Sequence, residues 1–138
     1  MSRSRRFAIA AAGSLLLAFP GFAGAATPRA QRSVAGVRAT MRAYAAALLA
    51  GNGKAGCALL TTAAQKELAK ANHASSCEKV IELSGQLLKS TPKQAAKLRS
   101  YASTVKITLH GSTATVPKFD SGGRTTLTYR HGLWYLAS

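Results

Sequence analysis

The sequence contains few acidic residues, few cysteines and no unbroken apolar run long enough to cross a membrane. Four of its 138 residues are Asp or Glu, and two are Cys. A membrane-spanning helix needs about 20 consecutive apolar residues, whereas the N-terminal apolar stretch, residues 7–22, is broken by Gly13, Ser14, Pro20 and Gly21. The sequence therefore argues against a membrane anchor, and its two cysteines allow one bridge at most.

The same N-terminal stretch has the pattern of a secretory signal peptide. Three arginines precede the apolar run, and the small residues Ala23-Gly24-Ala25 follow it as an A-x-A cleavage site. We expect residues 1–25 to be removed and the mature chain to begin at Ala26. The predicted location is extracellular, at the cell envelope.

The two cysteines, Cys57 and Cys77, are expected to form a disulfide, because an exported chain meets an oxidising environment. Closing the loop between them would stabilise the fold by about 3 kcal/mol. The alternative is a metal site that adds His73, four residues before Cys77. A tetrahedral site needs a fourth ligand, and none has a suitable spacing, so neither a metal nor a cofactor is expected.

The first half of the mature chain predicts helices. Residues 26–33 are polar and contain proline, which is typical of a flexible terminus. From Val34, apolar residues recur every three or four positions and predict a helix of about five turns that ends at Gly51-Asn52-Gly53. Further helices are predicted after hydroxyl caps at Thr61 or Thr62 and at Ser76, and a last one begins at Ser90-Thr91-Pro92 and ends near Arg99.

Beyond Tyr101 the apolar period changes to two, which predicts strands. The first would cover residues 105–110, with Val105, Ile107 and Leu109 buried, and the next two would cover 113–116 and 124–130. The last run, 133–136, is apolar on both faces and predicts an interior strand. Helices followed by an antiparallel meander give an α+β domain over residues 34–138, with the N-terminal helices packed on a four-stranded sheet.

Three segments resemble small secreted proteins of high-GC Gram-positive bacteria in the nuclear transport factor two-like (SnoaL-like) superfamily. These are the helix end at residues 47–53, the following 55–61 with the later Cys77, and the closing 130–136, which contains the glycine and tryptophan that recur there. The resemblance covers residues 34–137. It implies a cone-shaped fold with a curved sheet, a bridge between the two cysteines, and homodimerisation through the sheet face that carries Thr108, Thr126 and Thr128. Asn52 stands where the family usually has aspartate.

The superfamily includes isomerases, dehydratases and polyketide cyclases, which place an acid or histidine inside the cone. Here no catalytic residue is assigned, because each of these side chains is predicted in a solvated helix face, a turn or a linker; they are Glu67, Glu78, Glu82, Asp120, His73, His110 and His131. Tyr44, Leu48 and Trp134 are candidates for lining a small apolar cavity. They are equally candidates for plain core.

Positive charge is the other strong feature. Without the three N-terminal arginines the chain has 16 basic and four acidic residues. The predicted anion-binding surface consists of Lys89, Lys93, Lys97, Arg99 and Lys106. Its expected partners are anionic envelope polymers or a lipid surface, with a solubilising surface as the alternative. Specific nucleic-acid binding is not expected, because the strands lack interleaved aromatic residues.

The sequence therefore predicts a secreted, non-catalytic module that binds a small ligand, such as a small apolar molecule, or another component of the envelope. The alternatives are a cone-cavity enzyme and an electrostatic binder of anionic lipid or wall polymer.

Overall fold

The computed structural model describes residues 27–138, which form six helices and one four-stranded antiparallel sheet. The predicted α+β class is confirmed. The predicted signal peptide and its cleavage site lie outside the described residues. In chain order the elements are α1 (Thr27–Ala30), α2 (Val34–Ala50), α3 (Gly53–Cys57), α4 (Thr62–Ala71), α5 (Cys77–Ser90), α6 (Pro92–Thr104), β1 (Thr108–His110), β2 (Thr113–Pro117), β3 (Arg124–Arg130) and β4 (Leu133–Leu136).

Local capping residues set most helix boundaries. Thr61 and Ser76 accept hydrogen bonds from the backbone N–H groups three residues later, at 3.2 Å in both cases, and so begin α4 and α5. Gly51 ends α2 in the left-handed conformation, with φ of 64°, and Pro92 lies in the first turn of α6. These boundaries confirm the sequence predictions.

Helix α6 continues to Thr104, five residues beyond its predicted end at Arg99. The added turn is held by packing, because Ala102 is buried against Ala45 of α2 and Tyr101 packs on the same cluster. Since these contacts join residues more than 50 positions apart, the local sequence pattern did not reveal them.

The strands pair in chain order, β1-β2-β3-β4, and the helices cover one face of the sheet. Every second residue points into this shared core. The buried strand residues are Ala114, Val116, Leu127, Trp134 and Leu136. On the helix side they meet a buried set that includes Val37, Met41 and Ile81.

Two strand predictions were wrong. Strand β1, at the edge of the sheet, covers only three residues, and Leu109 is 36% exposed. Strand β4 is the last strand of the sheet and not an interior one: it pairs along its length with β3, and on its other side it has a single parallel bridge, between Leu136 and Leu60. Its outer edge is covered by the chain after α3: the Leu136 N–H donates to the Leu59 carbonyl and the Thr61 N–H donates to the Leu136 carbonyl, both at 2.8 Å.

Part of the segment that was predicted to be a flexible terminus, residues 26–33, is described by the structure. It contains α1, and its backbone accepts hydrogen bonds from the sheet. Tyr129 Oη donates to the Ala30 carbonyl at 2.7 Å and Trp134 Nε1 donates to the Gln31 carbonyl at 2.8 Å. These long-range bonds fix a polar segment that has no ordering signal of its own.

Cys57 and Cys77 form the predicted disulfide. It joins the end of α3 to the start of α5, and it encloses α4. No helix within residues 27–138 is long and apolar enough to cross a membrane.

Candidate functional site

Two of the three predicted cavity residues line a small apolar cavity between α2, α6 and the sheet. Tyr44 and Leu48 contribute to its wall together with Leu98, Tyr101 and other side chains, and its volume is about 130 Å³. Trp134 lies elsewhere in the core, fully buried, with its ring 5.3 Å from that of Tyr129 in an edge-to-face arrangement. Tryptophan therefore serves packing here.

The cavity has neither the size nor the groups of an acid–base site. Ligand sites usually exceed roughly 300 Å³. The titratable side chains in its wall are Tyr44 and Tyr101, and burial raises the pKa of both phenols. The Tyr101 hydroxyl donates to the Pro117 carbonyl. Since a general base must be deprotonated near the working pH, these phenols do not provide one at neutral pH.

The acids and histidines considered as catalytic candidates lie away from this cavity. Glu67, Glu78 and Glu82 are exposed on α4 and α5. Asp120 has φ of 49° and is exposed in the loop between β2 and β3, so it forms a turn. The three histidines are exposed as well: His73, His110 and His131.

The alternative metal site loses two of its ligands in the structure. Both Cys57 and Cys77 contribute their sulfur atoms to the disulfide, and metal binding requires free thiolates. Within residues 27–138, no group of three or more His, Cys, Asp or Glu side chains comes together. His73 is left as an isolated exposed imidazole in a loop.

A larger groove lies between α2 and α6 on the solvent side of their contact. It has a volume of about 330 Å³, which reaches the range of ligand sites. Arg42 of α2 and Arg99 of α6 contribute one guanidinium from each helix. The remaining lining is small or apolar and consists of Ala45, Ala46, Leu49, Ala102 and Ser103. We name this feature the α2–α6 groove.

Helical periodicity explains why the cavity and the α2–α6 groove lie back to back. Ala45 and Ala102 line both of them, so each alanine lies at the boundary between two faces of its helix. Residues two turns apart share a helix face, and so Arg42 and Leu49, seven positions apart, lie together on the groove side. Leu48 lies on the cavity side. The two alanines allow the helices to approach closely.

Arg38 has a structural role that its sequence pattern does not indicate. It precedes Arg42 by one turn of α2, and its Nη2 donates to the Val105 carbonyl at 2.8 Å, just after α6 ends. Basic side chains stabilise the unpaired carbonyls at helix C-termini. Its other terminal nitrogen, Nη1, is buried and has no hydrogen-bond partner among the described residues.

The charges of residues 27–138 are segregated. Three of the four acids lie on α4 and α5, and the fourth is in the loop after β2. The other four helices and all four strands carry no carboxylate side chain. The one ion pair found in the described part of the chain joins Lys79 to Glu82 at 3.6 Å. Arg42 and Arg99 therefore face their groove without a neutralising acid on either helix.

The five residues predicted as one anion-binding surface are divided among several places. Lys93 and Lys97 share one side of α6, whereas Arg99 is turned from Lys97 by about 200° and lies in the α2–α6 groove. Lys106 lies on the far side of the sheet, near Arg124. Lys89 is in the last turn of α5. The predicted surface did not include Arg42, which lies across the groove from Arg99, because only the packing of α2 on α6 brings these two residues together.

The burial of Tyr44 predicts a loss of stability at alkaline pH. Its pKa is raised in the folded state by desolvation, and an unfolded tyrosine ionises near about pH 10. The stabilisation is therefore complete below that pH and is lost as the pH rises towards the folded pKa. We expect the urea midpoint of the wild-type protein to fall above about pH 10 more steeply than that of Tyr44→Phe. Parallel curves would contradict this role of Tyr44.

Comparison with known proteins identifies no relative of this chain. No family model matches the chain, and no curated protein or solved structure matches it. The likeness to the nuclear transport factor two-like superfamily therefore stays a prediction from the sequence, and the α+β class rests on the structure itself.

Proposed function

We propose that this chain is a non-catalytic binding module of the cell envelope, and that its α2–α6 groove binds the head group of an anionic amphiphile such as an acidic lipid. The observation that carries the proposal is the pairing of Arg42 and Arg99 across one groove between two helices that bear no carboxylate. Export of the chain and membership of the nuclear transport factor two-like superfamily are parts of this proposal.

The groove suits a ligand that has both a charge and an apolar part. Guanidinium groups donate paired hydrogen bonds to carboxylate and phosphate oxygens. Ala45, Ala46 and Leu49 offer an apolar floor between them, against which the first carbons of an acyl chain or glycerol unit can pack. A small inorganic anion would use the charges and leave this floor uncovered.

Two further observations support binding over catalysis. The cavity on the core side holds only tyrosines as titratable groups, and their pKa values are raised away from neutrality. Arg38 adds a third guanidinium near the end of α6, with one nitrogen that has no partner within the described residues. The arginines of α2 and α6 are thus gathered around one groove, whereas a surface that only keeps the protein soluble does not require its basic residues to lie together.

We expect the protein to bind vesicles that contain phosphatidylglycerol, to ignore pure phosphatidylcholine vesicles, and to dissociate as salt is added. The double variant Arg42→Gln/Arg99→Gln should weaken binding by about 30-fold, because each cation near an anionic surface contributes about 1 kcal/mol. Co-sedimentation over a series of lipid concentrations measures the change.

A matched control separates the groove from net charge. Lys66→Gln/Lys70→Gln removes the same charge from exposed positions on α4, and should change the affinity by less than about threefold. Ala46→Trp keeps every charge but fills the groove, and it should weaken binding without lowering stability. Equal effects of the two double variants, or unaltered binding by Ala46→Trp, would contradict the groove as the binding site.

A further inference from the structure

The outer face of the sheet is a second cationic surface, and it is built by strand register. The helices cover the opposite face; of the outward residues of β3, the two at its ends are exposed and the two between them are half-buried. They are Arg124, Thr126, Thr128 and Arg130, which alternate with inward residues such as the fully buried Leu127. An arginine thus lies at each end of a threonine pair, about 20 Å apart at the rise of an extended strand.

Arg124 belongs to a hollow of about 160 Å³ that also contains Lys106 and two threonines. The register places Pro117 directly opposite Arg124, and Thr115 opposite Thr126 on one side and Thr108 on the other. Proline has a short side chain, so the space above it between the two cations stays open. An anion placed there can contact a cation on each side.

The threonine hydroxyls of this hollow are free to bind a ligand. Thr113, nearby on β2, donates its hydroxyl to the His110 carbonyl at 3.0 Å. The hydroxyls of Thr108 and Thr115 have no hydrogen-bond partner within residues 27–138. Hydroxyl donors beside two cations are a common arrangement for phosphate oxygens.

The other end of the stripe has a second hollow of about 190 Å³. It contains Arg130, His131 and Tyr135 with the hydroxyl side chains of Thr61 and Thr62. No strand in the described residues 27–138 carries an acidic side chain. Because the two arginines lie too far apart for one small anion, the surface suits a chain with repeated negative charges.

We infer that the outer sheet face binds a linear polyol-phosphate or sugar-phosphate polymer, laid along β3 with phosphates at Arg124 and Arg130. The hydroxyls of the threonines between them match the hydroxyl groups of a polyol backbone. Tyr135 is the one aromatic residue of the strands that points outward, whereas binding of single-stranded nucleic acid uses successive aromatics for stacking. The inference uses none of the residues of the α2–α6 groove, and so it does not depend on the function proposed above.

The test is binding of the full mature protein to purified poly(glycerol phosphate), measured by isothermal titration calorimetry at several salt concentrations. Arg124→Gln/Arg130→Gln should weaken binding by at least about tenfold. It should also lower the slope of log K against log salt by about 1.4, which corresponds to two lost phosphate contacts on a flexible polyanion. Unchanged affinity and slope would overturn the inference.

Three controls keep the result specific. Lys66→Gln/Lys70→Gln removes equal charge on α4 and should leave the salt slope unchanged. If this variant lowers the slope as much as Arg124→Gln/Arg130→Gln does, binding depends on net charge alone and the inference is overturned. Thr115→Val/Thr126→Val keeps shape and charge, so a loss of several-fold supports hydroxyl contacts and no loss overturns them. A single-stranded oligonucleotide of equal charge should bind more weakly, and equal or tighter binding would overturn the preference for a polyol phosphate.

Two further measurements distinguish the polymer site on the outer sheet face from the α2–α6 groove and from a dimer contact. Arg42→Gln/Arg99→Gln should keep polymer binding within about threefold while it loses vesicle binding, so either proposal can fail alone. If light scattering gives a dimer mass that Arg124→Gln/Arg130→Gln converts to a monomer, the outer face is a contact between two copies of the chain. That result would overturn the polymer site.

Discussion

Replacing Trp134 with alanine is expected to lower the free energy of unfolding by about 3–5 kcal/mol, the range for large aromatic core residues. The side chain is fully buried between the sheet and α2. Its ring packs edge-to-face on Tyr129, and its Nε1 donates to the Gln31 carbonyl at 2.8 Å. Truncation would therefore create a cavity, remove an aromatic pair and remove one of the two hydrogen bonds that the Gln31 carbonyl accepts, the other coming from the Ser33 N–H.

The packing around Trp134 leaves little space for relaxation. Gly36 lies against it, and a Cβ atom at this position would lie 3.0 Å from Trp134 Cδ1 and overlap the Gln31 carbonyl. The corner between α1 and α2 thus closes directly over the indole. Trp134→Ala should also loosen the chain after α1, because it removes the bond to the Gln31 carbonyl, while the Tyr129 bond to the Ala30 carbonyl remains.

Urea unfolding followed by far-ultraviolet circular dichroism measures this effect without relying on the single tryptophan as a probe. Trp134→Phe keeps an aromatic ring and loses the N–H donor, and should cost about 1–3 kcal/mol. Leu87→Ala is a control, because Leu87 is 64% exposed and surface changes usually stay within about 0.5 kcal/mol. A loss for Trp134→Ala no larger than that of the control would contradict its place in the core.

Reduction of the disulfide is expected to cost about 3 kcal/mol, the loop-closure value for a separation of 20 residues. The bridge encloses α4, whose only buried residue is Ala64. Gln65 of α4 connects the helix to the preceding segment: its Nε2 donates hydrogen bonds to the Cys57 and Leu60 carbonyls at 2.7 and 3.3 Å. With so little burial, α4 should be the first region to open when the covalent link is removed.

Urea midpoints with and without dithiothreitol, together with amide hydrogen exchange of α4, measure the contribution of the bridge. Cys57→Ala/Cys77→Ala should show the lowered midpoint at once and no further response to reductant. A wild-type midpoint that does not change on reduction would show that noncovalent packing alone holds α3 on α5. Faster exchange in α2 than in α4 would contradict the expected order of opening.

Local features of the fold could be predicted from the sequence, because each depends on residues close together in the chain. Thr61 and Ser76 cap helices through the N–H groups three residues later. Gly51 ends α2, and His131 with Gly132, both at positive φ, forms the tight turn between β3 and β4. The disulfide followed from having two cysteines in a chain predicted to be exported.

The neighbours of each element could not be predicted in this way. The apolar run 133–136 reads as an interior strand, but it lies at an edge that residues 59–61 cover. Leu109 has the alternating pattern of a buried strand residue and is exposed, on a three-residue strand at the edge of the sheet. Residues 27–33 have a polar composition, and the hydrogen bonds that their backbone accepts come from the distant Tyr129 and Trp134.

The basic composition was determined by the sequence, whereas the places where the charge can act were decided by tertiary structure. Arg38 and Arg42 are equivalent in the helical pattern, yet one binds the Val105 carbonyl and the other faces Arg99 across the α2–α6 groove. Arg99 and Lys106 are seven residues apart and lie on different sides of the molecule. Helix and strand patterns report which face a residue occupies, but the partner of that face depends on contacts between distant segments.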